Sequence, residues 1–325
     1  RINPAFYYGV FDPNDMRRDV SVAVTATNGG TGVEIILPFT PGSQGKGGGL
    51  AFNKWDENRQ DVVWTANQRK SGINGPYMRM SEMYLGYAEA CAALGDDANA
   101  KQYLKIIRDR AFGGNGNVDA FIQQEGSLLE AVVDERGFEF AGEGDRRWTL
   151  IRSGFLPKKI KAIKELTLKM INGLETNGYY TFDNGNTISA YIYTKLVDAK
   201  TTYKHRLTTQ CPSDKKDDPV LYPGWRGVND DWTSYGLDYK TTTPATNLAI
   251  KGLFEQISDA DGAALVADGY TKVDWGAELV KWKTEYYTNL FLDYDYTKAP
   301  IYLWPFTPNV CANGGFTNGY GFKSE

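Results

Sequence analysis

The charged residues between Asp134 and Arg152 are the first candidates for chemistry: Asp134, Glu135, Arg136, Glu139, Glu143, Arg146, Arg147 and Arg152. Two carboxylates facing each other across a cleft could cleave a glycosidic bond. Here Glu135 and Glu139 stand four apart, and Arg136 falls on the apolar stripe of the same predicted helix. Opposite charges at helical spacing form ion pairs. A buried arginine held by glutamate specifies packing, and losing one partner strands a charge. With Arg79 and Glu82 upstream, the cluster therefore reads as a structural network, and no catalytic pair stands out.

Other candidates are weaker or of another kind. Asp293 and Asp295 in LDYDYTK offer oxygen ligands to a hard cation, but the loop spacing of an EF-hand is absent, so solvated surface acids are expected and no metal. Arg17, Arg18 and Asp19 in DPNDMRRD read as a turn tied down by salt bridges. The segment Gly224–Tyr239, GWRGVNDDWTSYGLDY, interleaves Trp225, Trp232, Tyr235 and Tyr239 with Arg226, Asn229, Asp230 and Asp231. Flat aromatic faces can stack on sugar rings while amide, carboxylate and guanidinium groups bond the hydroxyls. Trp64 is a further such face. The competing reading is an irregular insertion held together by its own aromatics, and the sequence leaves the two open.

Composition narrows the classes. A net charge of -4 and a pI near 5.3 exclude the cationic footprint of a nucleic-acid binder. His205, the single histidine, leaves little room for Ser-His, Cys-His or most metal chemistry, and no cofactor is expected. Cys91, Cys211 and Cys311 are too far apart for a CxxC site and odd in number, which argues against a disulfide framework. Cys91 is read as a small buried hydrophobe. No apolar run approaches the roughly 20 residues that span a bilayer. Aromatic residues make up 14% of the chain, suiting either a wet recognition surface or a core of large side chains.

The elements that must position these residues are mainly helical, with long irregular loops and short β-hairpins. Val20–Thr27 and Val33–Phe39 flank Asn28-Gly29-Gly30 as a predicted hairpin. A first long helix is predicted from Pro76 to Leu94, stopped by Gly95, with Met80, Met83, Tyr84, Tyr87, Ala88 and Cys91 as its apolar stripe. A second, Asp97–Phe112, carries Ala100, Leu104, Ile107 and Ala111 on one face. The two should pack antiparallel as a tetratricopeptide-type hairpin, with an apolar face that something else must cover. Ser127–Phe140 and Asp145–Ser153 are helices, with Leu129, Val132, Val133, Arg136 and Phe140 inward in the former. Lys158–Ile171 reads as a basic, solvated helix. Residues 176–243 read as an aromatic-rich loop insertion, Val273–Leu292 as a helix, and the carboxy-terminal run as irregular but packed.

At this point the residues resemble a known family. Arg79, Glu82-Met83-Tyr84-Leu85 and Ala88-Glu89-Ala90 resemble the R-x-x-E-x-Y-L-x-x-A-E-A helix of SusD/RagB proteins, and Ile107-Arg108-Asp109-Arg110-Ala111 resembles their iR-x-RA helix. Glu135-Arg136, Glu139, Glu143-Gly144 and Arg146 match the ER-x-x-E-x-x-x-E-G-x-R segment, followed by Arg152-x-Gly154. Asp12–Asp19, Leu303-Trp304-Pro305 and Asn318-x-Tyr320-Gly321 match the family's turn and closing motifs, in the family's order.

The resemblance implies a SusD-like fold, with residues 1–325 as the carboxy-terminal part of its single domain and 76–154 as the helical hairpin and charged helix. It also implies a lipid-anchored, surface-exposed outer-membrane protein of Bacteroidota without catalysis. Such a protein binds oligosaccharides, or in some members peptides, and delivers them to a SusC-type TonB-dependent transporter. Against that pattern the amino-terminal hairpins and lipobox cysteine are absent here. The chain is therefore expected to be the carboxy-terminal portion of a member, attached to the membrane only through a lipid anchor on the missing amino-terminus. A protein-interaction scaffold and a glycoside hydrolase are the alternatives.

Overall fold

A computed structural model describes residues 2–27, 34–39, 49–52, 54, 75, 77–198, 246–288, 306–315 and 317–318 of the 325. A π-helical turn, Phe6–Val10, opens the described chain. Asp15 then caps α1 (Met16–Ser21), its carboxylate accepting the Arg17 backbone N–H at 2.9 Å. Strands β1 (Val22–Ala23) and β4 (Ala51–Phe52) pair antiparallel, as do β2 (Thr25–Thr27) and β3 (Glu34–Ile36), with Thr25 opposite Ile36. The predicted hairpin is thus present in its pairing, but Val20 and Ser21 belong to α1.

The hairpin of α2 (Met80–Leu94) and α3 (Asp97–Ala111) follows. Gly95 ends α2 at φ +80°, a left-handed conformation that glycine adopts without steric cost, and Asp96 caps α3. The ring of Tyr87 meets that of Tyr103 edge-on at 4.7 Å, and Arg110 reaches back to Ser81 at 3.3 Å, so the helices run antiparallel. α2 opens at Met80 on an extended Arg79, not at Pro76. Its apolar stripe coincides with the predicted one only at Tyr84, Ala88 and Cys91. Ser81, Leu85, Ala88 and Cys91 are buried, whereas Met80, Met83 and Tyr87 are 62%, 47% and 48% exposed.

α4 (Val118–Glu125) and α5 (Leu128–Glu139) complete this half. Ser127 caps α5, accepting the Glu130 N–H at 3.1 Å. Every residue of α5 from Glu130 to Glu139 is buried, because α2, α3, α4 and α6 (Asp145–Ser153) pack around it. Leu85, Ala88, Leu104, Ile107, Ala131, Val132 and Phe138 form the shared core, so α5 covers the inner face of the hairpin.

A second core is joined to the first by α7 (Leu156–Asn177). Burial of Leu156, Ile160, Met170, Ile171 and Leu174 makes this a structural spine and corrects the reading of a solvated helix. Around it lie the β5 (Tyr179–Thr181) and β6 (Thr187–Ser189) hairpin and a three-stranded antiparallel sheet. In that sheet β7 (Tyr191–Asp198) lies between β8 (Thr246–Lys251) and β9 (Thr271–Asp274). Residues 179–181, 187–189 and 191–198 are therefore paired strand, not loop, and Val273 and Asp274 end a strand where helix was predicted.

α8 (Asp259–Ala267), α9 (Gly276–Lys281), a π-helical turn Thr284–Thr288 and α10 (Pro308–Gly314) are the remaining helical elements among the described residues, α10 falling where no regular structure was expected. Trp275, fully buried, donates its indole N–H to the Tyr8 hydroxyl at 2.9 Å. That bond satisfies the polar edges of two large rings in an otherwise apolar core.

Candidate functional site

The charged residues converge on α5 from several elements. Glu135, fully buried, accepts from Arg17 of α1 at 2.7 Å and Arg108 of α3 at 2.8 Å. Glu139 accepts from Arg17 at 3.1 Å and also from Arg79 and Arg110. Glu143 is held by Lys54 at 2.6 Å and Arg79 at 2.9 Å. Arg136 donates to Glu82 at 2.6 Å, Asp145 at 2.7 Å and the Thr149 hydroxyl at 3.1 Å. Arg146 donates to Asp134 at 2.6 Å, and Arg152 to Glu89 at 2.7 Å. Among the described residues no ion pair joins two residues of α5, so the helical spacing of Glu135, Arg136 and Glu139 serves to aim them at different neighbours.

Burial alone would raise the Glu139 carboxyl. The Arg17 charge and hydrogen bonds from Arg110 and Arg79 outweigh it and hold that group well below the usual carboxylate range. A carboxylate fixed in its ionised form by three guanidinium groups has no proton to give near neutrality. It is poorly suited to general acid catalysis.

A second cluster was not legible as a group. Glu125 ends α4, Glu130 and Asp134 lie on α5, and their carboxylate oxygens fall within 4.8 Å of one another. Oxygen ligands in that number could take a hard cation, but the Lys159 ammonium already serves them. It lies 2.8 Å from Glu130 and 3.3 Å from Glu125, and it bonds Asp134. Burial, followed by the hydrogen bond and charge of Asp134, pushes the Glu125 carboxyl up to about 7. One signal was present in the sequence: like charges at Glu130 and Asp134, four apart, are unfavourable without a cation between them.

Two hollows open beside these clusters. The larger, about 740 Å³, has apolar walls from Phe6, Phe138, Phe140, Ile163 and Leu166, with Glu125, Asp134 and Lys159 among its lining. The smaller, about 290 Å³, lies between the Asp12–Asn14 turn and the α3–α4 connection. Arg108 lines it, stacked 3.6 Å from the Phe121 ring centroid. The sequence-predicted ligand residues Trp64, Trp225, Arg226, Asn229, Trp232, Tyr235 and Tyr239 lie outside the described residues, as do His205, Asp293 and Asp295.

Comparison with known proteins gives two matches. The profile of the SusD family matches residues 40–223, more than half of the chain. A SusD-like protein P25 from Formosa agariphila is 40% identical over 78 residues, which are 24% of this chain and 15% of that relative. The matched stretch thus spans a small part of the relative's own length. No solved structure matches.

Proposed function

Because this chain belongs to the SusD family, we propose that it is a non-catalytic, surface-exposed binding protein for oligosaccharides. It would be lipid-anchored at the outer membrane and pass its ligand to a SusC-type TonB-dependent transporter. The family match carries this reading, since it takes in the whole hairpin and charged helix. The locked carboxylates support the non-catalytic part: Glu135, Glu139 and Glu143 each meet at least two cationic side chains. Among the described residues no helix is long and apolar enough to cross a membrane.

The family match ends at residue 223, just before the Gly224–Tyr239 segment. The assignment of ligand contacts to Trp225, Trp232, Tyr235, Tyr239, Arg226 and Asn229 therefore rests on their own chemistry, the stacking of flat faces on sugar C–H patches with polar groups between them. A protein partner has a separate support. Tyr77, Met78, Met80, Met83 and Tyr87 are all exposed on and ahead of α2, and exposed apolar patches mark interaction surfaces.

A glycan array probed with the complete protein, together with co-isolation of its transporter, tests the proposal. Binding to glycans with transporter association supports it. Transporter association with no glycan bound favours a scaffold, and capture of peptides instead of glycans would move the ligand class while keeping the delivery role.

A further inference from the structure

Part of the lining of the smaller hollow is left unused by the hydrogen bonds that brace it. Asn14, Asn115, Asn117 and Gln124, all exposed, line it, and among the described residues none of their side chains makes a hydrogen bond within the protein. Asn117 holds φ +41° and ψ +58° at the cap position of α4, yet its side chain does not cap the helix. Arg108 also lines the hollow and is only 6% exposed. It donates Nε to the Gly116 carbonyl at 2.8 Å and Nη1 to Glu135 at 2.8 Å, while Nη2 makes no hydrogen bond among the described residues.

The frame is rigid. Asp109 accepts the Gly116 N–H at 3.0 Å, so both backbone groups of Gly116 are clamped, and a Cβ there would stand 2.6 Å from that of Arg108. On the facing turn, Asp12 accepts the Asn14 N–H at 2.8 Å.

The chemistry of this set selects a ligand class. Each amide brings donors and an acceptor together, Asp12 accepts only and Arg108 donates only. A ligand matching such a mixture at short range carries many hydroxyls, because each hydroxyl both donates and accepts. An inorganic anion would leave the amide carbonyls unmatched and face the Asp12 carboxylate. An apolar ligand would strip water from the amides without replacing it. The volume lies at the small end of ligand pockets, about 300 Å³. We infer that this hollow is a subsite for a single pyranose ring of a neutral saccharide, on a different part of the chain from the aromatic segment at 224–239. The ligand class rests on the glycan reading above; the place does not.

The test is a titration of the 15N-labelled full chain with methyl α-glucopyranoside, methyl α-mannopyranoside and methyl β-galactopyranoside, with inorganic phosphate as the anionic control. The expected result is saturable shifts of the Asn115, Asn117 and Gln124 side-chain amides and of the Gly116 N–H with at least one glycoside. The double variant Asn117→Gly/Gln124→Ala keeps the left-handed backbone available at 117 and should bind that glycoside about fivefold or more weakly. Shifts with phosphate alone, no shift with any glycoside, or a double variant that binds like the parent would each overturn the inference. Calorimetry with longer oligosaccharides separates it from the broader reading. Equal affinity of parent and variant leaves the glycan reading standing and removes the hollow, whereas absence of binding to every saccharide removes both.

Discussion

Glu139 meets Arg17, Arg79 and Arg110 at once, so it is where the loss of one charge should be felt most. Glu139→Gln removes the counter-charge of Arg110 and one of those of Arg17 and Arg79, which keep Asp15, Glu135 and Glu143; breaking a buried pair costs about 3–5 kcal/mol. With Arg110 half exposed, the low end is expected, read as a lower urea midpoint at unchanged slope. The Glu125 carboxyl gives a pH signature of opposite sense. Its folded-state value is raised to about 7 from 4.5, so it keeps a proton that the unfolded chain releases. Its stabilising contribution is complete below about 4.5 and is lost as pH rises through about 7. Relative to Glu125→Gln, the wild type should lose on the order of 2 kcal/mol across that window. Parallel stability curves for the two proteins would contradict the assignment. Glu139 works the other way, its contribution present above about 4.5 and lost as pH falls. Of these residues, Glu135, Arg136 and Glu139 could be singled out from spacing alone. Glu125 and Lys159 could not, because their cluster is assembled from α4, α5 and α7, and no local pattern records such a meeting.

Elements with a clear start or stop residue, a capping Asp or Ser or a closing glycine, were legible. α3 follows its Asp96 cap, α5 its Ser127 cap, and α6 runs from Asp145 to Ser153 as the pattern predicts. α2 misleads because two apolar arcs overlap on it. Met and Tyr score as apolar, yet the arc that faces α3 and α5 contains Ser81, Leu85 and Ala88, and the methionines lie outside. The strands after α7 were hidden for a different reason. They are short and rich in Tyr and Thr, and β7 takes its partners from residues 246–251 and 271–274, far along the chain. Docking of these elements depends on close approach. A Cβ on Gly276 would lie 2.6 Å from the Ser189 carbonyl and 2.8 Å from a Leu174 methyl, at the junction of α9, β6 and α7. Gly276→Ala should therefore destabilise by about 1–3 kcal/mol, visible as a lower thermal midpoint. An unchanged midpoint would mean that the junction has slack the structure does not show.

At the scale of the molecule, two cores joined by α7 support surfaces of different character: an apolar hollow, a polar hollow and an exposed methionine and tyrosine face on α2. Fold class and family were readable from ordered motifs because those motifs are packing residues, and packing is what a fold repeats. Ligand choice was less readable, since aromatics and amides in connections serve recognition and self-packing equally well. Trp225→Ala and Trp232→Ala are predicted to weaken oligosaccharide binding about tenfold each, one stacked ring being worth on the order of 1.4 kcal/mol, without lowering the thermal midpoint. Unchanged affinity in both would take that segment out of the site. The most direct measurement for the central claim is calorimetric titration of the complete protein with an intact oligosaccharide panel, followed by chromatography of the same solutions. Non-catalytic glycan binding predicts saturable heat with at least one saccharide, recovered at full length; shortened products, or no heat with any saccharide, would contradict it.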